Sequence, residues 1–226
     1  MKTILYPPGE TWPTLCRRPV SDTSSLTASV NDIIYRVRAE GDKALREFTL
    51  KFDKIAAAGL KVSEREIESA VSLVPDDLRK AIILAAENIE KFHRSQLIKE
   101  EPVITSAGVT CMRKNVPLEK VGLYIPGGSA PLFSTVLMLA IPAKIAGCEK
   151  VILCTPPGKD GKINPVILYS ARLSGITEIY MVGGAQAIAA MAYGTETIPR
   201  VDKIFGPGNQ FVTRAKEIVQ SSGVAI

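Results

Sequence analysis

The chain has 226 residues, of which 46% are hydrophobic, and a net charge of +5 from 28 Lys and Arg residues and 23 Asp and Glu residues. This length accommodates one large or two small domains, and this hydrophobic fraction is ordinary for a globular chain with a packed core. The basic residues are scattered and only 6% of residues are aromatic, whereas a nucleic-acid groove combines a basic stripe with stacking rings. Composition therefore argues against a nucleic-acid partner and favours small anionic ligands only weakly.

No segment has the pattern of a signal peptide or of a membrane span. The N-terminal stretch has a short apolar run at residues 4–6, which Pro7 and Pro8 then end. The longest apolar run, residues 136–143, contains Pro142 and falls far short of the roughly 20 residues that cross a bilayer. We therefore expect a soluble, cytoplasmic protein with no membrane partner.

The first 120 residues divide into an arm and a mostly helical region. Residues 1–19 are proline-rich without periodicity, which predicts an N-terminal arm. Residues 20–120 are predicted to be helical, with apolar residues at helical spacing, a stop at Gly41, a capping box of Ser63 and Glu66, and Pro75 in the first turn of a longer helix. Residues 101–116 alternate and turn near Gly108, which predicts a β-hairpin.

From residue 121 onward, strands and helices alternate. Strands are predicted at residues 121–125, 150–154, 178–182 and 203–205, with helices between them and a last helix at 210–221. This alternation implies right-handed crossovers and a parallel sheet. The fold class is therefore predicted as α/β, with a Rossmann-like domain at residues 121–226 that follows an incomplete, mostly helical α/β domain at residues 20–120. Val224 to Ile226 read as the opening of a further strand.

Three glycine-rich turns stand at strand ends, each expected to lead directly into a helix. They are Gly127-Gly128-Ser129, Gly183-Gly184 and Gly206-Pro207-Gly208. In an open α/β sheet, ligands bind at the carboxyl ends of the strands, where free N–H groups of helix N-termini attract anions. The turns are thus expected to converge on one nucleotide-binding edge.

Three polar side chains beside these turns are the candidate ligand contacts. Tyr124 offers a ring and a hydroxyl, and Gln186 and Asn209 each offer an amide. Structural roles remain open for all three: Tyr124 as a sheet aromatic, Gln186 as an ordinary first-turn residue, and Asn209 as the N-cap of the last helix. The sequence has no G-x-G-x-x-G and no acidic residue at the spacing that usually binds a ribose, so a dinucleotide would need a variant arrangement.

Catalytic and metal-binding residues are harder to find. His93 is the only histidine and lies near the end of a predicted helix, where a favourable interaction with the helix dipole is its simplest role. The four cysteines lack C-x-x-C spacing and are interpreted as buried free thiols. No set of donors is spaced for zinc.

Four strings of the sequence closely resemble histidinol dehydrogenases, in register from about Pro19 to Ile226. They are GDKALREFTLKFDK, VGLYIPGGSAPLFSTVLM, GGAQAIAAMAYGTE and VDKIFGPGNQFVT. The resemblance implies an NAD- and zinc-dependent oxidation of L-histidinol to L-histidine by two hydride transfers, the last steps of histidine biosynthesis, in an intertwined homodimer. It also implies that Tyr124, Gln186 and Asn209 contact NAD.

The family chain is nearly twice as long, so the resemblance implies a truncated chain. The substrate-binding serine, the Glu-His pair that transfers protons and the zinc ligands would follow Ile226, leaving no catalytic residue and no metal ligand here. We therefore expect an NAD-facing portion that is inactive alone, whose helices at residues 20–120 lack partners for their apolar faces. The alternative is a non-catalytic nucleotide-binding or assembly module derived from the family.

Overall fold

A computed structural model describes residues 3–17, 24–57, 59–98, 100–128 and 130–226. Up to residue 98, the regular elements of the described chain are helices, apart from an isolated bridge at Lys61. Its helices are α1 (Trp12–Leu15), α2 (Ser24–Glu40), α3 (Asp42–Phe48), α4 (Glu64–Leu73) and α5 (Asp76–Arg94). A 3-10 turn, Gly9–Thr11, precedes α1, and a π-helical turn, Thr49–Asp53, extends α3.

The described chain beyond residue 100 begins with a hairpin and continues with alternating strands and helices. The hairpin consists of β1 (Val103–Ser106) and β2 (Val109–Cys111). The alternating elements are β3 (Lys120–Tyr124), α6 (Phe133–Ala146), β4 (Lys150–Thr155), α7 (Pro165–Leu173), β5 (Glu178–Met181), α8 (Gly184–Tyr193), β6 (Lys203–Phe205) and α9 (Gln210–Gln220). The predicted hairpin and the predicted strands are confirmed, most strand ends to within a residue.

The main sheet is parallel and has the order β5-β4-β3-β6. Gly122 lies opposite Ile152 on one side and Ile204 on the other. Side chains alternate between the two faces of a strand, and the cores follow this alternation: Leu123, Leu153 and Ile179 lie on one face, and Tyr124, Cys154 and Tyr180 on the other. The predicted α/β class with a parallel sheet is confirmed.

Chain segments far apart in sequence pair with both edges of this sheet. Residues 60–62 run antiparallel to β5, where Val62 N donates to Ile179 O at 2.9 Å and Met181 N donates to Leu60 O at 2.7 Å. At the opposite edge, Ile204 N donates to Ala225 O at 2.9 Å. The strand-like character predicted for residues 224–226 is therefore present as a short parallel bridge, whereas the pairing of residues 60–62 was not predicted.

The helices of residues 24–94 are packed around the sheet. The apolar stripe of α2 is buried against α8 and α9 on one face of the sheet; its residues are Val30, Ile33, Ile34 and Val37. The expectation that helical faces in this region lack partners is therefore wrong for α2, where each buried side chain contributes about 1.5–3 kcal/mol. On the other face α4 packs on α7, and α5 packs on α6, with Ile82 fully buried but Phe92 63% exposed.

Helix ends follow the predicted chemistry, with two differences. The capping box of Ser63 and Glu66 is present, and α2 ends before Gly41, whose φ is 55°. Pro75 is the N-cap of α5 rather than a first-turn residue. Helix α6 begins at Phe133, with Leu132 as its N-cap, and not directly after Gly128. Pro131 disfavours helical geometry in the residue before it, so no helix begins ahead of Pro131. Within the described residues, no helix has both the length and the apolar character that crossing a membrane requires.

Candidate functional site

A cleft of about 720 Å³ opens where the main strands end. Loops after β3, β4, β5 and β6 form one wall, and residues of α2, α3 and the π-helical turn form the opposite wall. Among the lining residues are Tyr124, Gly127, Gly128, Gly184, Gln186 and Asn209. The predicted convergence at one edge of the sheet is therefore confirmed for Gly127, Gly128, Gly184 and Asn209, whereas Gly183 and residues 206–208 do not line the cleft. Ser129 lies outside the described residues.

Tyr124 ends β3 with its side chain buried to 3% exposure. Its Oη accepts a hydrogen bond from the backbone N of Gly184 at 3.0 Å, which ties β3 to the start of α8. Burial raises the Tyr124 pKa to about 12, with a smaller contribution from the nearby acidic group of Asp53. The phenol is therefore neutral at physiological pH, and because its oxygen already accepts from Gly184, its proton can be donated to a ligand in the cleft.

The two amide side chains occupy the other strand ends. Gln186 lies in the first turn of α8 and is only 2% exposed. Asn209 is the N-cap of α9, since its Oδ1 accepts hydrogen bonds from Phe211 N at 3.0 Å and Val212 N at 3.1 Å. The structural role left open for Asn209 is thus present, and its Nδ2 group is the part that a ligand would contact. Both residues line the same cleft as Tyr124.

Two of the glycines allow neighbouring loops to pack closely. A Cβ on Gly127 would lie 2.7 Å from Pro156 Cγ, and a Cβ on Gly183 would lie 2.5 Å from Pro156 Cβ. Pro156 follows β4 and also lines the cleft. Sequence reasoning gave Pro156 no role, because its contacts are made by turns that are distant in the sequence.

At Gly206, both the backbone conformation and a close contact with β3 require glycine. Its φ is +126°, and a Cβ there would lie 2.0 Å from the backbone O of Tyr124. Its carbonyl oxygen accepts a hydrogen bond from Lys216 Nζ at 2.6 Å. This turn is therefore fixed against β3 on one side and against α9 on the other.

The expectation of free N–H groups at all three helix starts is wrong in part. Gly184 N is engaged by Tyr124, and Asn209 caps two N–H groups of α9. Helix α6 starts at Phe133, several residues beyond the glycines. The N–H groups of Ala185 and Gln186, in the first turn of α8, remain the ones suited to an anion, because first-turn N–H groups have no partner within their own helix.

The opposite wall contains residues that sequence reasoning missed. Phe48 and Phe52 stack with ring centroids 5.7 Å apart, and both line the cleft beside Asp53. Asp53 Oδ2 is buried without a hydrogen-bond partner in the described structure, and burial raises the Asp53 pKa. The only sequence signal was that the string GDKALREFTLKFDK belongs to the resemblance, since a π-helical turn has no simple periodicity.

Residues considered for catalysis or metal binding lie elsewhere. His93 is in the last turn of α5, where its Nδ1 is 2.7 Å from Gln96 Oε1, and it does not line the cleft. The prediction of buried thiols is wrong for Cys16 and Cys111, which are exposed, and correct for Cys154. Among the described residues, no group of three or more His, Cys, Asp or Glu side chains is placed to hold a metal ion.

Comparisons with known proteins agree with this architecture. A family model described as histidinol dehydrogenase matches residues 16–226. The chain is 57% identical to histidinol dehydrogenase of Bacteroides thetaiotaomicron over 226 residues, which are 100% of this chain and 53% of that protein. It is 54% identical to histidinol dehydrogenase of Escherichia coli strain K12 over 214 residues, which are 94% of this chain and 48% of that protein.

A solved structure matches over the same extent. The crystal structure of histidinol dehydrogenase from Elizabethkingia anophelis has a TM-score of 0.93 and 54% sequence identity, and the match covers 97% of this chain and 51% of that chain. The chain therefore spans about half the length of the relatives it matches. Since the family match includes both the helices around the sheet and every strand end that lines the cleft, the chain belongs to the histidinol dehydrogenase family.

Proposed function

We propose that this chain supplies the NAD-binding part of a histidinol dehydrogenase, an oxidoreductase of histidine biosynthesis that converts L-histidinol to L-histidine in two hydride transfers to NAD. One observation carries the proposal. Tyr124, Gln186 and Asn209, the NAD contacts that the family resemblance implies, line one cleft at the carboxyl ends of the parallel strands, which is where open α/β sheets bind nucleotides.

The cleft has groups suited to each part of a dinucleotide. Its volume of about 720 Å³ lies within the usual range for cofactor sites. The first-turn N–H groups of α8 suit a pyrophosphate. Tyr124 offers a hydroxyl donor, Gln186 and Asn209 offer amides, and the exposed ring of Phe52 offers a stacking face.

These residues bind and orient the cofactor, and they do not complete the chemistry. Hydride transfer also needs a base for the alcohol proton, together with a group that polarises its oxygen. By resemblance, that group is zinc, but the described residues do not fit a zinc site. We propose that the proton-transferring pair and the zinc ligands belong to the half of the family chain that this sequence does not span, and that the active assembly is a homodimer. The role of residues 1–226 is then to hold the nicotinamide ring for attack.

Calorimetric titration of the 226-residue chain with NAD tests this proposal. We expect saturable binding, which Gln186→Leu weakens because it removes the buried amide from the cleft at similar volume. Gln220→Leu is the matched control, since Gln220 is exposed at the end of α9. Absence of NAD binding, or equal affinity in all three proteins, would contradict the assigned site.

A second assay tests the division of labour. With L-histidinol, NAD and added zinc, the 226-residue chain is expected to form no NADH, as followed by NADH fluorescence. Sustained turnover would show that these residues already contain the base and the metal site, and the proposed division would then be wrong.

A further inference from the structure

The cleft contains an acidic side chain where a dinucleotide site needs one. Sites of the Rossmann type hold a ribose 2′-hydroxyl with an Asp or Glu that follows the glycine-rich turn by about 20 residues. This sequence lacks an acid at that spacing. The fold instead brings Asp53, at the end of the π-helical turn, into the cleft from the opposite wall.

The Asp53 carboxylate can accept hydrogen bonds, but one of its oxygens has no donor. Its Oδ2 atom is buried and has no hydrogen-bond partner in the described part of the chain. An unpaired buried carboxylate oxygen is unfavourable, so a water, an ion or a ligand has to supply its donor. π-Helical turns are also frequent at functional sites. Because Asp53 lines the cleft, rotation of its carboxylate would bring this oxygen within reach of hydroxyl donors there.

The surroundings of Asp53 indicate which ribose it faces. Phe52 is 49% exposed, stacks on Phe48 and lines the cleft next to Asp53 in the chain. An adenine ring stacked on Phe52 would have its own ribose beside the neighbouring carboxylate. No arginine stands among the described lining residues, and Lys51 is the one cation there. Sites that accept a 2′-phosphate characteristically provide an arginine.

We propose that Asp53 accepts hydrogen bonds from the adenosine ribose diol of the bound dinucleotide, and that its negative charge excludes the 2′-phosphate of NADP. This proposal rests on the proposed function, in which the cleft binds NAD. Asp53 is then a specificity-determining residue, supplied by the helical region rather than by the parallel-sheet region. Asp32 also lines the cleft but is exposed, so water already satisfies its oxygens.

Titrations with NAD and NADP, on the unaltered chain and on Asp53→Asn, test the proposal. The unaltered chain is expected to prefer NAD by about a hundredfold or more. Asp53→Asn is expected to lose roughly tenfold in NAD affinity and to gain affinity for NADP, so that the preference falls to within a few-fold. Asp77→Asn is the matched control, because Asp77 is fully exposed on α5, and it should leave the preference unchanged.

Removal of the ligand hydroxyl gives an independent measurement. NAD with a 2′-deoxyadenosine moiety should bind the unaltered chain about tenfold more weakly than NAD, whereas Asp53→Asn should distinguish the two ligands far less. Thermal unfolding without nucleotide shows whether Asp53→Asn changes the stability of the fold as well as nucleotide binding. Asp53→Asn should unfold at the same or a higher temperature, because it removes an uncompensated buried charge.

The outcomes separate this proposal from the proposed function. If the unaltered chain binds neither NAD nor ADP-ribose, both are wrong. If it binds NAD and Asp53→Asn keeps the full preference over NADP, only the role of Asp53 is overturned. The same holds if Asp32→Asn or Lys51→Ala, rather than Asp53→Asn, abolishes the preference.

Discussion

Replacement of Tyr124 by phenylalanine tests how one hydroxyl serves both the fold and the ligand. In the folded chain, Tyr124 Oη accepts the hydrogen bond of Gly184 N at 3.0 Å, and its own proton faces no acceptor among the described residues. Tyr124→Phe keeps the buried ring and removes only this oxygen. The N–H group at the start of α8 then loses its acceptor, and the cleft loses a donor.

The size of the effect follows from the surroundings of Gly184. A buried polar group left without a partner costs about 1–3 kcal/mol. Gly184 lines an open cleft, where water replaces part of the lost acceptor, so we expect the free energy of unfolding to fall by about 1–2 kcal/mol. For a domain of this size, Tm falls by about 2–4 °C per kcal/mol, or roughly 2–8 °C here. Loss of the donor should weaken NAD binding about tenfold.

Thermal unfolding and calorimetric titration measure these two effects separately. Tyr180→Phe is the matched control, because Tyr180 Oη also makes one hydrogen bond, to Glu178 Oε2 at 2.8 Å, but Tyr180 does not line the cleft. It should lower Tm without changing NAD affinity. If Tyr124→Phe changes neither Tm nor NAD affinity, the hydroxyl has neither role, and the reasoning from its contacts is refuted.

Three further predictions concern the strand-end turns and Tyr124. Gly206→Ala should lower stability by about 2–4 kcal/mol in chemical denaturation, since its Cβ would lie 2.0 Å from Tyr124 O; a Gly9→Ala control has nothing within 4 Å, and equal effects would contradict the clash. Asn209→Ala should lose about 1 kcal/mol with the N-cap, whereas Asn209→Asp should keep the cap but weaken NAD binding; loss of stability in both would contradict the cap assignment. Between pH 10 and about 12, the phenol of Tyr124 ionises in the unfolded chain but stays protonated in the folded chain, so the stability that it contributes below pH 10 is lost as pH rises. In chemical denaturation over this window, the free energy of unfolding should therefore fall by about 3 kcal/mol less in Tyr124→Phe than in the unaltered chain. Equal declines in the two proteins would contradict the raised pKa.

Much of the sheet and one wall of the site were predictable from the sequence. Apolar runs bounded by glycine and proline marked the strands, and Asn209 after Gly208 marked a helix start. Because parallel strands present their carboxyl ends at one edge, three turns far apart in the chain could be placed together before the structure was known. These inferences rest on local patterns and on a general rule of topology.

The parts of the fold and of the site that could not be predicted depend on contacts between distant segments, which local sequence patterns do not encode. The edge pairing of residues 60–62 with β5 occurs between segments separated by more than a hundred residues. The position of Asp53 depends on how α2 and α3 pack against α8, and α6 is apolar on every side, so its periodicity gave no starting point. Pro131 disfavours helical geometry in the residue before it, which is why α6 does not follow directly after Gly128.

The two sides of the cleft differ in how they are built. On the sheet side, Gly127 and Gly183 both pack closely against Pro156. Three loops therefore contact one another through a proline ring, which has no freely rotatable side-chain bonds. On the helical side, Phe52 and Asp53 stand together on a single π-helical turn. Little conformational entropy remains to be lost on the first side when a cofactor arrives. The short turn, rather than the strand-end loops, would therefore adapt to ligands of different shape. Evolutionary changes in cofactor preference would be expected at the same turn.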